Sequence, residues 1–258
     1  MTTTQNTGHA QEFTGRNALV TGGASGIGLA VAARLAAGGA AVAIADYNEE
    51  AAHKAAADLA AGGVRATALR MDVTDPESVR AGTEAAAEAL GGLHLAVNNA
   101  GISGEAAPTG EYPVEVWRRV LATNLDGVFY SLRYELPLIL AAGGGAVVNM
   151  ASILGTNGFA GAPAYVAAKH GVVGLTKTAA LEYAGQGVRI NAAGPGFIDT
   201  PLLSGMDRAA HDALVTLHPQ GRLGRAEEVA ELTAFLLSHR ASFINGSYHL
   251  IDGGYSAR

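Results

Sequence analysis

The sequence predicts an α/β fold built on one doubly wound parallel sheet of about seven strands, with helices on both faces. Three observations carry this. Short β-branched or apolar runs alternate with longer alanine-rich helical patterns along the chain, as βαβ units do. The runs are apolar almost without interruption, the signature of strands buried on both faces. A glycine-rich turn separates the first strand from the first helix. At 258 residues, with no internal repeat and no linker, the chain is close to the upper limit of one core, so residues 13–258 are expected to form one domain.

The elements follow in order. Asn17 to Thr21 reads as a strand, Leu29 to Ala37 as a helix and Ala41 to Ala45 as the next strand. A helix is expected over Glu49 to Ala61, a strand over Arg65 to Met71, a helix over Asp75 to Leu90 and a strand over Leu93 to Asn98. One long helix is predicted from about Val114 to Ala142, then a strand from Ala146 to Met150. A helix from about Tyr165 to Tyr183, a strand from Val188 to Ala193, a helix from Glu227 to Ser238 and a short strand from Tyr248 to Ile251 complete the pattern. Two stretches break the rhythm, Ser152 to Ala164 and Pro195 to Gly221, and both lie at the carboxyl ends of strands, where open α/β sheets place ligands. The second is expected to be a mobile lid over the substrate.

Composition narrows the chemistry. The chain has 35 Gly and only 8 Pro, so the glycine surplus is neither collagen-like nor a disorder signature and must serve local backbone geometry. With no Cys there are no disulfides, no thiolate metal sites and no Cys nucleophile, which suits the cytoplasm. The 8 His form no ligand pattern, and no metal is expected. A net charge of −6 without a basic run argues against nucleic-acid binding. No apolar stretch is long enough for a membrane span. Residues 1–12 are expected to be a disordered polar tail; Met1 to Gln11 carry neither the basic nor the apolar part of a signal peptide.

Thr21-Gly-Gly-Ala-Ser-Gly-Ile-Gly28 lies between a strand and a helix, the context in which Gly22, Gly26 and Gly28 would let a pyrophosphate approach the helix N-terminus. An ordinary glycine-rich turn would look the same, and the spacing departs from the common dinucleotide pattern. Asp46 adds weight: it ends the second strand 18 residues beyond Gly28, near the offset of the carboxylate that holds ribose hydroxyls. A carboxylate about 4 Å from a 2′-phosphate would cost roughly 1 to 4 kcal/mol. No basic residue occurs in Gly22 to Gly28 or Ala45 to Asn48. The expected cofactor is therefore NAD(H) and not NADP(H).

Tyr165 and Lys169 stand one helical turn apart and can address one ligand. A phenol must lose about three pKa units, roughly 4 kcal/mol, to act near neutrality, and one ammonium at about 4 Å supplies a similar amount. Ser152 follows the strand that ends Val147-Val-Asn-Met150, although a serine standing there alone is more often a helix N-cap or turn residue than a catalytic one.

Taken with Asp72-Val73, Asn98-Asn-Ala-Gly101, Asn124, Pro195-Gly196, Ile198-Asp-Thr200 and Asp252-Gly-Gly-Tyr255, these residues resemble, from about Phe13 to the C-terminus, the short-chain dehydrogenase/reductase family in its single-domain Rossmann-type form. The resemblance implies that Tyr165 is the general acid/base, that Lys169 holds the nicotinamide ribose and lowers the Tyr165 pKa, that Ser152 binds the carbonyl oxygen and that Asn124 fixes a water in a proton relay. It implies cofactor contacts from Gly22, Ser25, Gly26, Ile27, Gly28, Asp46, Asp72, Val73, Asn98, Ala100 and Gly101, and from Tyr165, Lys169, Pro195, Gly196, Ile198 and Thr200. Gly194 replaces a side chain more usual before Pro-Gly, a departure expected to affect only loop flexibility.

Finer resemblance, in Asn149-Met-Ala-Ser-Ile-Leu-Gly155 and Ser242-Phe-Ile-Asn-Gly-Ser-Tyr-His-Leu250 among others, is to bacterial NADH-dependent secondary alcohol dehydrogenases and ketone reductases. Leu154, Phe159, Leu202 and Met206 are then candidates for an apolar substrate wall, with core packing as the competing reading. The family also implies a homotetramer. A 3-oxoacyl thioester reductase and a non-catalytic NAD-binding regulator are the alternatives; Asp46 and the net acidity disfavour the first, and the joint presence of Asn124, Ser152, Tyr165 and Lys169 disfavours the second.

Overall fold

The computed structural model describes residues 11–203 and 205–257. Seven strands form one sheet: β1 Asn17–Thr21, β2 Ala41–Asp46, β3 Ala66–Arg70, β4 Leu95–Asn98, β5 Gly145–Met150, β6 Val188–Pro195 and β7 Tyr248–Ile251. Every pairing is parallel, in the order β3-β2-β1-β4-β5-β6-β7. The order reverses between β1 and β4, so a crevice opens where their carboxyl ends part. Register places Thr21 beside Asn98 at that point.

Two apolar clusters sandwich the sheet. On one face Val20, Val42, Ile44 and Val148 pack beneath α1 (Gly26–Ala37), α2 (Glu49–Ala61) and α8 (Ala226–Leu237). On the other, Leu19, Ala43, Ala96 and Val147 pack beneath α3 (Pro76–Leu90), α5 (Gly127–Ala141) and α6 (Pro163–Tyr183). Alternate residues of each central strand thus enter opposite cores, which is why the strands read as continuous apolar runs. The helices start where the sequence supplies caps. Asn48 accepts from Ala51 N–H ahead of α2, and Asp75 accepts from Glu77 N–H ahead of α3, with Pro76 in the first turn.

One expectation is corrected and two stretches gain detail. The long helix from Val114 to Ala142 is interrupted: α4 (Val114–Leu121) passes into a π turn, Ala122–Asp126, before α5. A π turn inserts one residue without breaking the apolar stripe, so periodicity does not reveal it, and such turns recur at functional sites. The segment from Pro195 to Gly221 contains a 3₁₀ turn at Pro201–Leu203 and a helix, α7 (Arg208–Thr216), capped by Asp207. Of the expected tail, residues 1–10 lie outside the described residues, while Glu12 pairs with Arg34 at 3.2 Å and Arg240 at 2.7 Å, which ties it to the domain.

A polar network runs through the core directly below the crevice. Asn98 Nδ2 donates to Glu135 Oε2 at 3.1 Å and to Asn149 Oδ1 at 3.0 Å, and Asn149 Nδ2 donates to Thr176 Oγ1 at 3.0 Å. Glu135 is fully buried, and burial, only partly offset by the Asn98 hydrogen bond, pushes its carboxyl from 4.5 to about 7. Between those values the folded state binds more protons than the unfolded chain. Stability is therefore lost as pH rises through that window, by roughly 3 kcal/mol in all. Glu135→Gln keeps the shape and removes the titration. The melting temperature of the variant relative to wild type is expected to climb between about pH 5 and about pH 8. A constant difference across that range would show that Glu135 does not titrate this way.

Candidate active site

The loop after β1 is shaped by contact with the loop after β4. Gly22 has φ +60°, and a Cβ there would lie 2.9 Å from Ala100 Cα; a Cβ on Gly28 would overlap the Gly22 carbonyl. Asn99 stitches the two loops by donating to the Thr21 and Gly22 carbonyls at 3.1 and 3.0 Å. Gly26 and Ile27 open α1, and its N-cap, Ser25, makes no side-chain capping bond, so the first-turn amides of this helix lack that internal acceptor. Asp46, at the end of β2, reaches back to Ala24 N–H at 3.1 Å and also accepts from Asn48 N–H at 3.0 Å. A glycine cradle, an uncapped helix start and a carboxylate beside the same loop fit a dinucleotide, with pyrophosphate at the helix and ribose hydroxyls at Asp46.

The other expected cofactor residues fall at the carboxyl edge of the sheet. Asp72 lies after β3, where it accepts from Thr74 N–H and Oγ1–H at 2.9 and 2.7 Å, and Val73 is buried against Gly127. Ala100 and Gly101 lie after β4. Asn98, expected to border the cofactor, instead turns its amide into the core network with Glu135 and Asn149. It ends β4 with the inward parity of the strand, and Asn99 takes the loop position. Pro195 ends β6, Gly196 N–H is bonded to the Ile251 carbonyl at 2.9 Å, Ile198 is buried, and Thr200 donates to the Ile198 carbonyl at 3.3 Å.

Asn124 is carried into the interior by the π turn and is fully buried. Its Oδ1 accepts from Ile102 N–H and its Nδ2 donates to the Ile102 carbonyl, both at 2.8 Å, so one amide fixes the segment after Gly101. Ser152 follows β5 in extended conformation, and its Oγ accepts from Leu154 N–H at 3.2 Å. Helix α6 begins at Pro163 and carries Tyr165 and Lys169 on one face. Tyr165 is half-buried; Lys169 is buried, with its Nζ 5.5 Å from the Tyr165 ring centroid. That ammonium donates to the Met150 carbonyl at 2.7 Å, and burial lowers its pKa to about 8.

In the protein alone, burial pushes the Tyr165 phenol above its ordinary value, opposed by the Ser152 side chain.

Among the apolar candidates, Phe159, Leu202 and Met206 are exposed, whereas Leu154 is buried in the 3₁₀ turn Ile153–Gly155 and presents little surface. Three aromatic residues unforeseen as site residues gather beside Phe159. Phe197 stacks edge-on to it at 5.7 Å and lies 5.8 Å from His218 and 6.1 Å from Tyr255. His218 is buried, with Nε2 3.3 Å from Phe197 N–H and Nδ1 2.9 Å from the Leu214 carbonyl of α7. It thereby links the segment after β6 to the helix of the expected lid. Phe197 and Tyr255 adjoin Pro-Gly and Asp-Gly-Gly, so their neighbourhood was readable; nothing in the sequence marks His218.

The chain is similar to known proteins along nearly its whole length. A family model described as enoyl-(acyl carrier protein) reductase matches residues 22–256. The cyclohexanol dehydrogenase of Acinetobacter sp. (strain SE19) is 51% identical over 249 residues, covering 96% of this chain and 98% of the relative. The cis-4-hydroxycyclohexanecarboxylate dehydrogenase of Sinomonas cyclohexanicum is 47% identical over 247 residues, covering 96% and 99%. The crystal structure of levodione reductase superposes with a TM-score of 0.91 at 40% identity, covering 95% of this chain and 99% of that one. The likeness extends from the glycine loop to the last strand and holds in sequence as well as backbone: the chain belongs to the short-chain dehydrogenase/reductase family.

Proposed function

We propose that this chain is an NAD(H)-dependent secondary alcohol dehydrogenase and ketone reductase, with Ser152, Tyr165, Lys169 and Asn124 as its working residues. The observation that carries the reading is the placement of Ser152 at the carboxyl end of β5 beside Tyr165, whose ring lies 5.5 Å from the buried Lys169 ammonium. A bound nicotinamide supplies or accepts the hydride at a carbonyl carbon. In reduction, the Ser152 and Tyr165 hydroxyls receive the developing alkoxide, and Tyr165 delivers its proton to that oxygen. Lys169 keeps a positive charge beneath the pair, and Asn124 holds the chain after Gly101 that borders it.

Cyclic secondary alcohols and their ketones are the substrate class we favour. The names of two relatives specify a hydroxyl on a six-membered carbon ring, and the exposed ring of Phe159, buttressed by Phe197, offers such a substrate a flat apolar wall. The segment from 195 to 221, with α7 anchored through His218, serves as the lid. Asp46 selects NAD(H), and a homotetramer is supported by Trp117 and Phe129 exposed on α4 and α5 and by Phe243 and Leu250 exposed near β7. Light scattering on a sizing column is expected to give four times the chain mass; a monomer would refute the assembly without touching the chemistry.

The deciding experiment follows NADH consumption with cyclohexanone, substituted cyclic ketones, open-chain ketones, and 3-oxoacyl and enoyl thioesters. Turnover with cyclic ketones is expected to exceed that with thioesters. Preference for a thioester would favour the reductase named by the matched family model, and NADH binding with no turnover at all would favour a regulator.

A further inference from the structure

Gly194 and Tyr248 explain one another. Strand β7 pairs with β6 in the register Ala192 to Tyr248 and Gly194 to Leu250, so residues 192, 194 and 248 share a face of the sheet. From β7 to the segment after β5 the distance is two strand spacings, about 10 Å. A tyrosine spans it only if no side chain stands on β6 between. Gly194 leaves that space: a Cβ there would lie 2.5 Å from Tyr248 Cε2 and Oη and 2.6 Å from Cζ. Gly194 lies within strand β6 and is absent from the positive-φ glycines, so the requirement is for room and not for a special dihedral. The expectation that this glycine alters only loop flexibility is thereby corrected.

Having crossed β6, the Tyr248 hydroxyl donates to the Ser152 carbonyl at 2.5 Å. The phenol thus anchors the start of the turn Ile153–Gly155. Ser152 has its Oγ engaged by Leu154 N–H and its carbonyl engaged by Tyr248. We propose that Tyr248 is a positioning residue for the reaction, fixing the Ser152 peptide so that Oγ meets the carbonyl oxygen, and that Gly194 is required to admit it. The proposal rests on the reading of Ser152 and Tyr165 as the carbonyl-binding pair. It ties a residue of the last strand, outside the family-matched catalytic set, to the first donor the substrate meets.

The test is kinetic. Misplacement of a reacting group by about 1 Å costs up to about a hundredfold. Tyr248→Phe is expected to lower kcat for ketone reduction about ten- to a hundredfold, with NADH affinity and melting temperature unchanged. Gly194→Ala is expected to show the same loss by displacing the ring, and in a Tyr248→Leu background to add no further loss. Wild-type kcat in Tyr248→Phe overturns the proposal. So does a loss of kcat that comes with lost NADH affinity and a lowered melting temperature, which would mark a structural role. Additive losses in the double variant overturn the role of Gly194, and if Gly194→Ala does not fold, Tyr248→Phe decides alone. Failure of the underlying reading would appear in the wild type itself, which would then turn over no ketone.

Discussion

Tyr165→Phe is expected to reduce ketone turnover by about a hundred- to ten-thousandfold, the usual range for removing a positioned general acid. NADH affinity should stay within about twofold, because the ring and the Lys169 ammonium beneath it remain in place. The size of the effect follows from what is left. Ser152 still offers one hydroxyl to the substrate oxygen, so electrostatic stabilisation is halved rather than abolished, but no other side chain in the described site is placed to deliver the proton. Direction matters too. Burial holds the phenol above its ordinary value, so in reduction it is the proton donor over the whole neutral range. Alcohol oxidation needs the phenolate. Its kcat/KM is therefore expected to rise with pH into the alkaline range, and Tyr165→Phe should flatten that rise. A Phe variant that retains the slope would assign the titration to another group, and one that retains turnover would remove Tyr165 from the chemistry.

What the sequence revealed and what it concealed divide along physical lines. Strands β1, β4 and β5 were legible because both faces are buried, so their apolar runs depend on no alternation that a neighbour could disturb. Asp46 and Ser152 stand out in the sequence because they lie at the carboxyl ends of strands, and Tyr165 with Lys169 because one helical turn puts them on one face of α6. Asn124 was legible as a residue but not as a geometry: its role in holding Ile102 depends on a π turn, and a helix with one extra residue keeps the same hydrophobic face. The strand end at Asn98 gives no sign that its amide turns into the core while Asn99 bonds the glycine loop. Gly194, Tyr248 and Glu135 act through partners more than 30 positions distant in the chain, and His218 joins Leu214 to Phe197 21 positions away; no local pattern encodes such pairs. Arg70 belongs to the same class. It stands outside the windows in which a basic residue would bear on cofactor choice, yet register sets it directly beside Asp46.

That neighbour sharpens the second large effect. Asp46→Asn is expected to raise the ratio of kcat/KM for NADPH to that for NADH by roughly ten- to a thousandfold, the equivalent of removing 1 to 4 kcal/mol of repulsion from a 2′-phosphate about 4 Å away. Asparagine keeps a carbonyl oxygen for Ala24 N–H or Asn48 N–H, so the loop geometry should survive the change. With the carboxylate gone, the Arg70 guanidinium, 5.4 Å from the Tyr47 ring centroid at the exposed end of β3, becomes the nearest charge paired in register with that position. Adding Arg70→Ala to Asp46→Asn should therefore return part of the gain, whereas Arg70→Ala alone should leave NADH kinetics close to wild type. Steady-state kinetics with both cofactors separate the outcomes. An unchanged ratio in Asp46→Asn would place the ribose elsewhere. An equal loss with both cofactors would make Asp46 a brace for the glycine loop rather than a selector. A gain insensitive to Arg70 would mean that relief of repulsion alone, without a compensating cation, sets the preference.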